Sequence, residues 1–361
     1  MRGIEAALTV LTSDNSGKFS SEALRILANR EKMNPPDISL ASSLIYITMR
    51  RKELWEKIAS DYLRSKEKLP PAVYMGVIMG TGGLLELRRF SGGVLVNGIA
   101  EYLKRDKSTA KYTGLVNAVL HKIIENGAGL TDKFRRSPSI DDRAMWAGVP
   151  VWSLPAWSRT WNRTELYALF EMTDSPSYSA LRVSPGKSDE LLPMLDAQEI
   201  HYTHSTISNA LRLNESVLPA KIPGFAEGLC TVQNEGSNLT ASIAGKFYDG
   251  GMILDMCSGR GVKAGQILQE CTESRIECWD LSEGRSKSAG NELTRLGVNE
   301  RATLKAGSAF NLAPEESPGF VVLDAPCSGS GTWNRKPESK WRLDWKKFDS
   351  RASSFFCVST R

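Results

Sequence analysis

The stretch 251–263 has the sequence Gly251-Met252-Ile253-Leu254-Asp255-Met256-Cys257-Ser258-Gly259-Arg260-Gly261-Val262-Lys263, an apolar run that ends in a glycine-bearing turn. Apolar residues then recur at helical spacing as far as Leu268, which predicts a helix directly after the turn. The next apolar run, 275–280, predicts a second strand that ends on Asp280. This order predicts a nucleotide-binding βαβ unit, because the glycines let the backbone approach a ligand and Asp280 lies where a ribose diol is bound.

Three ligand classes use turns of this kind: dinucleotides, nucleoside triphosphates and S-adenosylmethionine. No Gly-Lys-Ser/Thr sequence closes the loop, so a phosphate-binding P-loop is disfavoured. The glycine after Gly261 is Gly265, which misses the dinucleotide G-x-G-x-x-G pattern by one residue. S-adenosylmethionine fits better, since it needs only a close backbone approach and an acid for its ribose. The candidate cofactor-binding residues of this unit are Cys257, Ser258, Gly259, Arg260, Gly261, Val262, Lys263 and Asp280.

A second motif lies downstream, where the strand Val321-Val322-Leu323 runs into the turn Asp324-Ala325-Pro326-Cys327-Ser328-Gly329. A helix over 282–296 and a strand over 302–305 are predicted between the two motifs. Ligands of open α/β sheets bind beyond the carboxyl ends of the strands, so Asp324 and Cys327 are expected to face the same crevice. A buried structural thiol is the ordinary alternative for one Pro-Cys turn, but the upstream motif favours a chemical site.

These residues resemble the RNA 5-methylcytosine methyltransferases of the Sun/RsmB type. The family's Asp-x-Cys-Ala-Ala-Pro-Gly-Gly-Lys is similar to 255–263, and its Asp-Ala-Pro-Cys-Ser-Gly-x-Gly stands whole at 324–331. Residues 335–341 resemble its Arg-x-x-Pro-(Asp/Glu)-x-Lys-Trp, and 223–237 contain segments like its Pro-Gly-Phe and Val-Gln-Asp-Glu-Ala-Ser. The resemblance covers roughly the first 343 residues of the chain.

The resemblance implies transfer of a methyl group from S-adenosylmethionine to C5 of a cytosine in small-subunit ribosomal RNA. A thiolate that adds to C6 makes C5 nucleophilic enough to attack the methyl group. In the family, the cysteine that corresponds to Cys327 assists product release, and the nucleophile comes from a later Thr-Cys motif. Asp324 would hold the amidine edge of the base or help to place the methyl donor. Ser308 stands where the family usually has an aspartate near the adenine.

The chain departs from the family after Leu343. The expected Thr-Cys motif does not follow, and Cys357 in the tail 344–361 is not preceded by threonine. We therefore expect a truncation or a shifted reading frame, with little or no methylation by this chain. Two alternatives stay open: a DNA-type cytosine methyltransferase with Cys327 as nucleophile, and a noncatalytic RNA-binding protein.

The first 134 residues show helical apolar spacing throughout and resemble the NusB-like RNA-binding domain that precedes these methyltransferases. Basic side chains there are candidates for phosphate contacts, as are two in the region that follows. The predicted RNA-binding residues are Arg50, Arg51, Lys104, Arg105, Arg182 and Lys187, with Lys52, Lys107 and Lys111 as further basic positions. A solvated helical face is the competing explanation for any one of them.

The predicted fold is multidomain: an all-α NusB-like bundle, a small α/β RNA-binding subdomain and an incomplete α/β Rossmann-like methyltransferase domain. The predicted boundaries are 1–134 for the bundle, 135–155 for a linker rich in Pro, Ser and Trp, 156–240 for the subdomain, 241–343 for the methyltransferase core and 344–361 for a tail outside the family pattern.

Composition agrees with this interpretation without proving it. The 361 residues carry a net charge of +5, a mild excess that suits an anionic partner. Six cysteines without paired spacing and three histidines predict neither a disulfide framework nor a metal site. No secretory leader or long apolar span is found, so we expect a cytoplasmic, monomeric protein without a membrane segment.

Overall fold

The computed structural model describes residues 2–13, 19–63, 69–87, 90–127, 129–174, 178–215 and 217–343. They fall into two compact units. One contains residues 2–174 together with 329–343, and the other contains residues 178–328. The predicted tail 344–361, with Cys357, lies outside the described residues.

Helices make up the first unit and alternate with strands in the second. The helices are α1 (Arg2–Thr12), α2 (Ser20–Arg30), α3 (Pro35–Arg50), α4 (Lys52–Ser60), α5 (Pro71–Glu86), α6 (Gly92–Lys104), α7 (Lys107–Ala110), α8 (Thr113–Asn126), α9 (Leu130–Arg135), α10 (Ile140–Ala147), α11 (Leu154–Trp157), α12 (Arg163–Asp174), α13 (Ser188–Ala197), α14 (Glu235–Phe247), α15 (Val262–Glu270), α16 (Glu283–Arg295) and α17 (Glu338–Trp341). The strands are β1 (Ser179–Val183), β2 (Tyr202–His204), β3 (Ala210–Leu213), β4 (Cys230–Val232), β5 (Met252–Asp255), β6 (Arg275–Asp280), β7 (Ala302–Ala306) and β8 (Phe320–Val322). No helix among the described residues is long and apolar enough to cross a membrane.

Helix α5 is the centre of the first unit. It packs against α1, α3, α4, α6 and α8, and most of its length is buried. Its glycines allow this close packing, since a Cβ on Gly83 would lie 2.6 Å from a methyl group of Leu95, and one on Gly82 would lie 2.8 Å from the indole nitrogen of Trp55. The predicted helical bundle is therefore confirmed in the region before residue 134.

The predicted linker 135–155 is wrong, because this region is largely helical and packs into the core of the first unit. Helix α10 begins after Ser139, whose hydroxyl accepts from the Asp142 amide, and ends at Gly148 in the left-handed conformation. Trp146 and Leu154 are buried among the apolar residues of the helices. The Ser and Trp residues that, with Pro, suggested a linker thus include the helix cap Ser139 and the core residue Trp146.

The second unit begins with a small antiparallel sheet in the order β2-β3-β1-β4. Helix α13 covers one face of it with Leu191 and Leu195, which pack on Leu181 and Leu211. The α/β character predicted for this region is present, since α13 lies between strands of the sheet along the chain.

A parallel sheet follows, in the order β7-β6-β5-β8. Helices α15 and α16 connect β5, β6 and β7 in turn, which is the alternation of a Rossmann-like fold. Within the described part of the chain, β8 is hydrogen-bonded only to β5, and Val321 is about half exposed at this edge. The predicted fold class, an all-α domain followed by a Rossmann-like methyltransferase domain, is confirmed.

Candidate active site

The site lies where the order of the parallel sheet reverses. From β5 the chain moves outward through β6 to β7, and then returns to add β8 on the other side of β5. A crevice forms beyond the carboxyl ends of two strands that diverge in this way. The turn after β5 carries residues 256–261, and the turn after β8 carries Asp324 and Cys327, so both predicted motifs reach this crevice edge.

The turn after β5 is held by backbone hydrogen bonds to the neighbouring strand. The Ser258 amide donates to the Trp279 carbonyl at 2.8 Å, and the Gly261 amide donates to the Ser258 carbonyl at 2.9 Å. Gly261 has a φ of 76°, and a Cβ on it would lie 3.0 Å from the Cβ of Ala289 in α16. Glycine is therefore required at Gly261 both for its conformation and for the approach of α16.

Asp280 supports this turn from the end of β6. Its buried carboxylate accepts from the Gly259 amide at 3.1 Å and the Ser282 amide at 2.8 Å, and it pairs with Arg285 at 2.9 Å. The carboxylate thus fixes both the glycine turn and the start of α16. Its predicted contact with a ribose diol stays a prediction.

Asp255, which the sequence reasoning did not single out, lies buried beneath the same turn. Its carboxylate accepts from the Cys257 amide at 3.3 Å. The pKa of Asp255 is raised to about 7, first by burial and then by the nearby carboxylates of Asp324 and Asp280, while the Cys257 amide and Lys263 oppose the shift. The sequence feature that could have identified Asp255 as a site residue is its position at the end of an apolar strand.

Two cysteines of the site differ in their surroundings. Burial, together with Asp255, raises the pKa of the Cys257 thiol to about 11, so Cys257 is protonated at neutral pH and is not a nucleophile. Cys327 is exposed in the turn after β8. Of these two thiols, therefore, only Cys327 is accessible to a large substrate.

An ion pair joins the two motifs. The Lys263 ammonium, in the first turn of α15, contacts the carboxylate of Asp324. The lysine is mostly buried, whereas the Asp324 side chain is more than half exposed. The sequence placed both residues in the site, but their pairing across β5 was not predicted.

The charges around the crevice suit a cationic ligand. The carboxylates of Asp280 and Asp324 lie close enough to Asp255 to raise its pKa. A sulfonium next to such carboxylates would be stabilised, and the glycine turn admits a ligand close to the backbone. Ser308 follows β7, is half-buried, and its hydroxyl accepts from the Phe310 amide at 3.3 Å. These residues fit S-adenosylmethionine.

Three predicted RNA contacts are corrected because their side chains are buried within their own units. Arg182 is fully buried, with its guanidinium donating to Gln233 at 2.7 Å and Gln269 at 2.6 Å. Arg50 and Arg51 both pair with Asp174, and their side chains are only 16% and 9% exposed.

The other predicted RNA contacts are on the surface. The side chains of Lys104, Arg105 and Lys187 are 55%, 60% and 48% exposed, although each also pairs with a glutamate. Lys107 and Lys111 are exposed near the first two. These residues stay candidates for phosphate contacts.

Comparisons with known proteins agree with this geometry. A family model described as 16S rRNA methyltransferase RsmB/F matches residues 244–352, and a NusB family model matches residues 4–125. The ribosomal RNA small subunit methyltransferase B of Citrobacter koseri is 27% identical over 322 residues, which are 86% of this chain and 72% of the relative. The protein of the same name from Salmonella dublin is 32% identical over 235 residues, which are 63% of this chain and 52% of the relative.

Solved structures show the same fold. PH0851 matches with a TM-score of 0.73 and 19% identity, over 98% of this chain and 80% of that one. NSun6 from Pyrococcus horikoshii matches with a TM-score of 0.50 and 15% identity, over 58% of this chain and 78% of that one. Residues 244–352 are therefore similar to the RsmB/F methyltransferases, and residues 4–125 are similar to the NusB family.

Proposed function

We propose that the chain uses S-adenosylmethionine to methylate C5 of a cytosine in small-subunit ribosomal RNA. The observation that carries the proposal is the Lys263–Asp324 ion pair, which brings the glycine turn and the Asp324–Cys327 turn to one crevice. The cofactor would bind the turn 257–263 with Asp280 at its ribose, and Ser308 on the adenine side. The names of the Citrobacter koseri and Salmonella dublin relatives support the choice of RNA.

The reaction requires a thiolate to add to C6 of the cytosine, which makes C5 attack the methyl group that the cofactor supplies. Loss of the C5 proton then breaks the bond between sulfur and C6 and releases the thiol. In the RNA-type mechanism Cys327 serves this release, and another cysteine attacks.

The RNA would be held mainly through its phosphates, by the exposed basic residues of the helical unit and by Lys187. A target cytosine in paired RNA must also leave its stack before the thiol reaches C6. The proposed ribosomal RNA substrate supports our further proposal that the protein acts in the cytoplasm. We also propose that it acts as a monomer.

A test of the RNA-type mechanism uses a Cys327→Ala variant with S-adenosylmethionine and small-subunit ribosomal RNA from cells that lack the gene. If another cysteine attacks, the variant should accumulate a covalent protein–RNA adduct, visible on a denaturing gel, because release is impaired. Cys271→Ala, which changes a partly buried thiol outside the crevice, is the matched control.

The other outcomes favour the alternatives. Loss of both adduct and methylation in Cys327→Ala, with a methylating parent, would favour a DNA-type mechanism with Cys327 as nucleophile. RNA binding by the parent with neither adduct nor 5-methylcytosine would favour a noncatalytic RNA-binding protein. Mapping 5-methylcytosine in the same RNA identifies the target nucleotide.

A further inference from the structure

Arg182, one of the predicted RNA contacts, is a fully buried arginine of β1 in the second unit. Its Nε donates to the side-chain oxygen of Gln233 at 2.7 Å, and its Nη1 donates to that of Gln269 at 2.6 Å. Burial lowers the pKa of Arg182 to about 10, so the guanidinium is still charged at neutral pH. A buried charge contributes little net stability, whereas its hydrogen bonds allow few arrangements of the groups around it.

The hydrogen bonds continue from Arg182 into the helices beside the parallel sheet. Gln233, which follows β4, donates to the side-chain oxygen of Gln266 in α15 at 2.7 Å. Gln266 donates in turn to the side-chain oxygen of Asn238 in α14 at 2.7 Å. These side chains are at most 3% exposed, so water does not compete for their bonds. We call Arg182, Gln233, Gln266, Gln269 and Asn238 the Arg182 network.

Helix α15 is the element that this network holds next to the crevice. It follows directly on Gly261 of the glycine turn, and Lys263 in its first turn pairs with Asp324. Lys263 and Gln266 are three positions apart, so they lie on neighbouring turns near one face of the helix. Because backbone hydrogen bonds connect successive turns of a helix, a displacement at Gln266 also displaces Lys263.

The last turn of α15 is held from two sides. Gln269 accepts from Arg182 and donates to the Ser184 hydroxyl, just after β1, at 3.2 Å. Arg301 donates to the carbonyls of Leu268 at 2.5 Å and Cys271 at 3.0 Å, which lack partners within the helix. Arg301 thus caps the end of α15, and the Arg182 network ties the helix to the small antiparallel sheet.

We propose that Arg182 is a positioning residue for S-adenosylmethionine, because it fixes α15, and with it the glycine turn and Lys263, against the small antiparallel sheet. This inference rests on the proposed function, which places the cofactor at that turn. Arg182 is fully buried, so it acts on the cofactor site through α15. The small sheet then has a second task besides presenting Lys187 to RNA, because it sets the position of the helix that follows the cofactor turn.

The test compares Arg182→Met with Arg212→Met in the full chain. Methionine keeps an apolar stem at position 182 but leaves the side-chain oxygens of Gln233 and Gln269 without their donor. Arg212 is the matched control, since it lies on β3 of the same sheet and its side chain is 41% exposed. It pairs with Glu235 of α14, so its loss removes an arginine from the sheet without removing a bond to α15.

Amide hydrogen exchange gives the first readout. In Arg182→Met, exchange over residues 257–266 should rise about tenfold, the size of one lost buried hydrogen bond, with exchange in β7 unchanged. Arg212→Met should leave exchange over 257–266 as in the parent. If exchange rises only in β1 and β4, Arg182 has a purely local structural role and the proposal is overturned.

A milder variant serves if Arg182→Met does not fold. Gln269→Leu removes one of the two acceptors of Arg182 at a half-buried position of α15. It should raise exchange over 257–266 and the Kd for S-adenosylmethionine in the same direction, by a smaller factor. Parent-like values of both quantities in Gln269→Leu would contradict the proposal.

Cofactor affinity gives the second readout, measured by titration calorimetry at a temperature where every variant is folded. Arg182→Met should raise the Kd for S-adenosylmethionine about tenfold, and Arg212→Met should leave it unchanged. Arg182→Lys should give an intermediate Kd, since lysine keeps the charge but lacks the planar fork that reaches both glutamines. An unchanged Kd in Arg182→Met would overturn the positioning role.

The two readouts also separate this proposal from the proposed function. A parent chain that does not bind S-adenosylmethionine would count against the proposed function alone. Hydrogen exchange over 257–266 would then still decide whether Arg182 fixes the glycine turn through α15.

Discussion

At the scale of single residues, burial decides which acids and thiols of the crevice are ionised. Asp255 lies under the glycine turn with a pKa raised to about 7, whereas Cys257 beside it has a pKa raised to about 11. Both shifts come first from burial, which disfavours the charged form of either group. At neutral pH the buried thiol therefore carries its proton, and the buried acid is close to its midpoint.

Asp255 makes the stability of the second unit depend on pH. Its pKa is higher in the folded chain than its ordinary value of 3.8, so the folded state retains a proton that the unfolded state loses. The stability that this group contributes is present below about pH 4 and is lost as the pH rises through about 7. Asp255→Asn should remove this dependence and unfold with a free energy higher by on the order of 2 kcal/mol at pH 8.

Urea unfolding at pH 5 and pH 8 measures this difference. Asp249→Asn, at an exposed acid just before β5, is the matched control and should leave the pH dependence unchanged. Equal effects of Asp255→Asn at both pH values would show that the buried carboxyl does not titrate in this range.

Asp280 supports both the turn and the proposed cofactor contact. Asp280→Ala should weaken S-adenosylmethionine binding by ~1.5–3 kcal/mol, because a charged hydrogen bond to the ribose and the support of the Gly259 amide are lost together. Titration calorimetry measures the Kd. Glu283→Ala removes an exposed acid three residues later and should bind as the parent does. Equal affinity of the parent and Asp280→Ala would exclude the ribose contact.

At the scale of secondary structure elements, the junction of β5 and α15 depends on two glycines with different surroundings. Both Gly259 and Gly261 have a positive φ, 60° and 76°, but a Cβ would meet Ala289 of α16 only at Gly261. Gly259→Ala should cost roughly 1 kcal/mol for its left-handed conformation. Gly261→Ala should cost ~1–3 kcal/mol more, since α16 must also move.

Denaturant unfolding of the two variants, with cofactor titration beside it, checks this prediction. The pair controls for backbone strain, so the difference between them reports the contact with α16. Equal destabilisation of the two variants would mean that Ala289 can withdraw without cost.

The elements that the sequence predicted well are those whose signals are local. The turn 255–263, the acid at Asp280 and the Asp324–Cys327 turn follow directly from strand, glycine and helix patterns. The prediction of a linker over 135–155 rested on its content of Pro, Ser and Trp. Only tertiary contacts show that Trp146 and Leu154 belong to a core.

Long-range partners explain the other differences. The sequence predicted that Arg182 would be an exposed RNA contact. The side chains that accept hydrogen bonds from its guanidinium, Gln233 and Gln269, are 51 and 87 positions away in the sequence. Lys340 lies in the motif 335–341, but the carbonyls that accept its hydrogen bonds belong to Arg50 and Gly148, which lie 290 and 192 positions before it. Spacing within a motif contains no information on such contacts.

At the scale of the whole molecule, the helical unit combines a proposed RNA surface with the contacts that hold its own residues 329–343. Among these contacts are the stack of Trp157 on Trp333 and the bonds from Lys340 to the carbonyls of Arg50 and Gly148. Removing the helices would leave Trp333 and Lys340 without their partners, so a deletion would confuse loss of RNA binding with loss of structure. Point changes at exposed basic residues test the RNA surface without this effect.

Charge reversal at Lys107 and Lys111 should weaken binding of ribosomal RNA fragments with little regard to their sequence. Phosphate contacts release counterions, so the logarithm of the affinity should fall linearly with the logarithm of the salt concentration. In the double variant this slope should become less steep by about 1 for each phosphate that is no longer neutralised. Filter binding between ~50 and ~200 mM salt measures both quantities in the range where this effect is large. The double variant Lys221→Glu with Lys246→Glu, at two exposed lysines of the other unit, is the matched control for net charge. If the double variant and the control bind RNA with equally reduced affinity, the attraction between protein and RNA is due to net charge alone. If the parent's affinity for RNA does not change with salt concentration, the helical unit does not bind RNA through its phosphates.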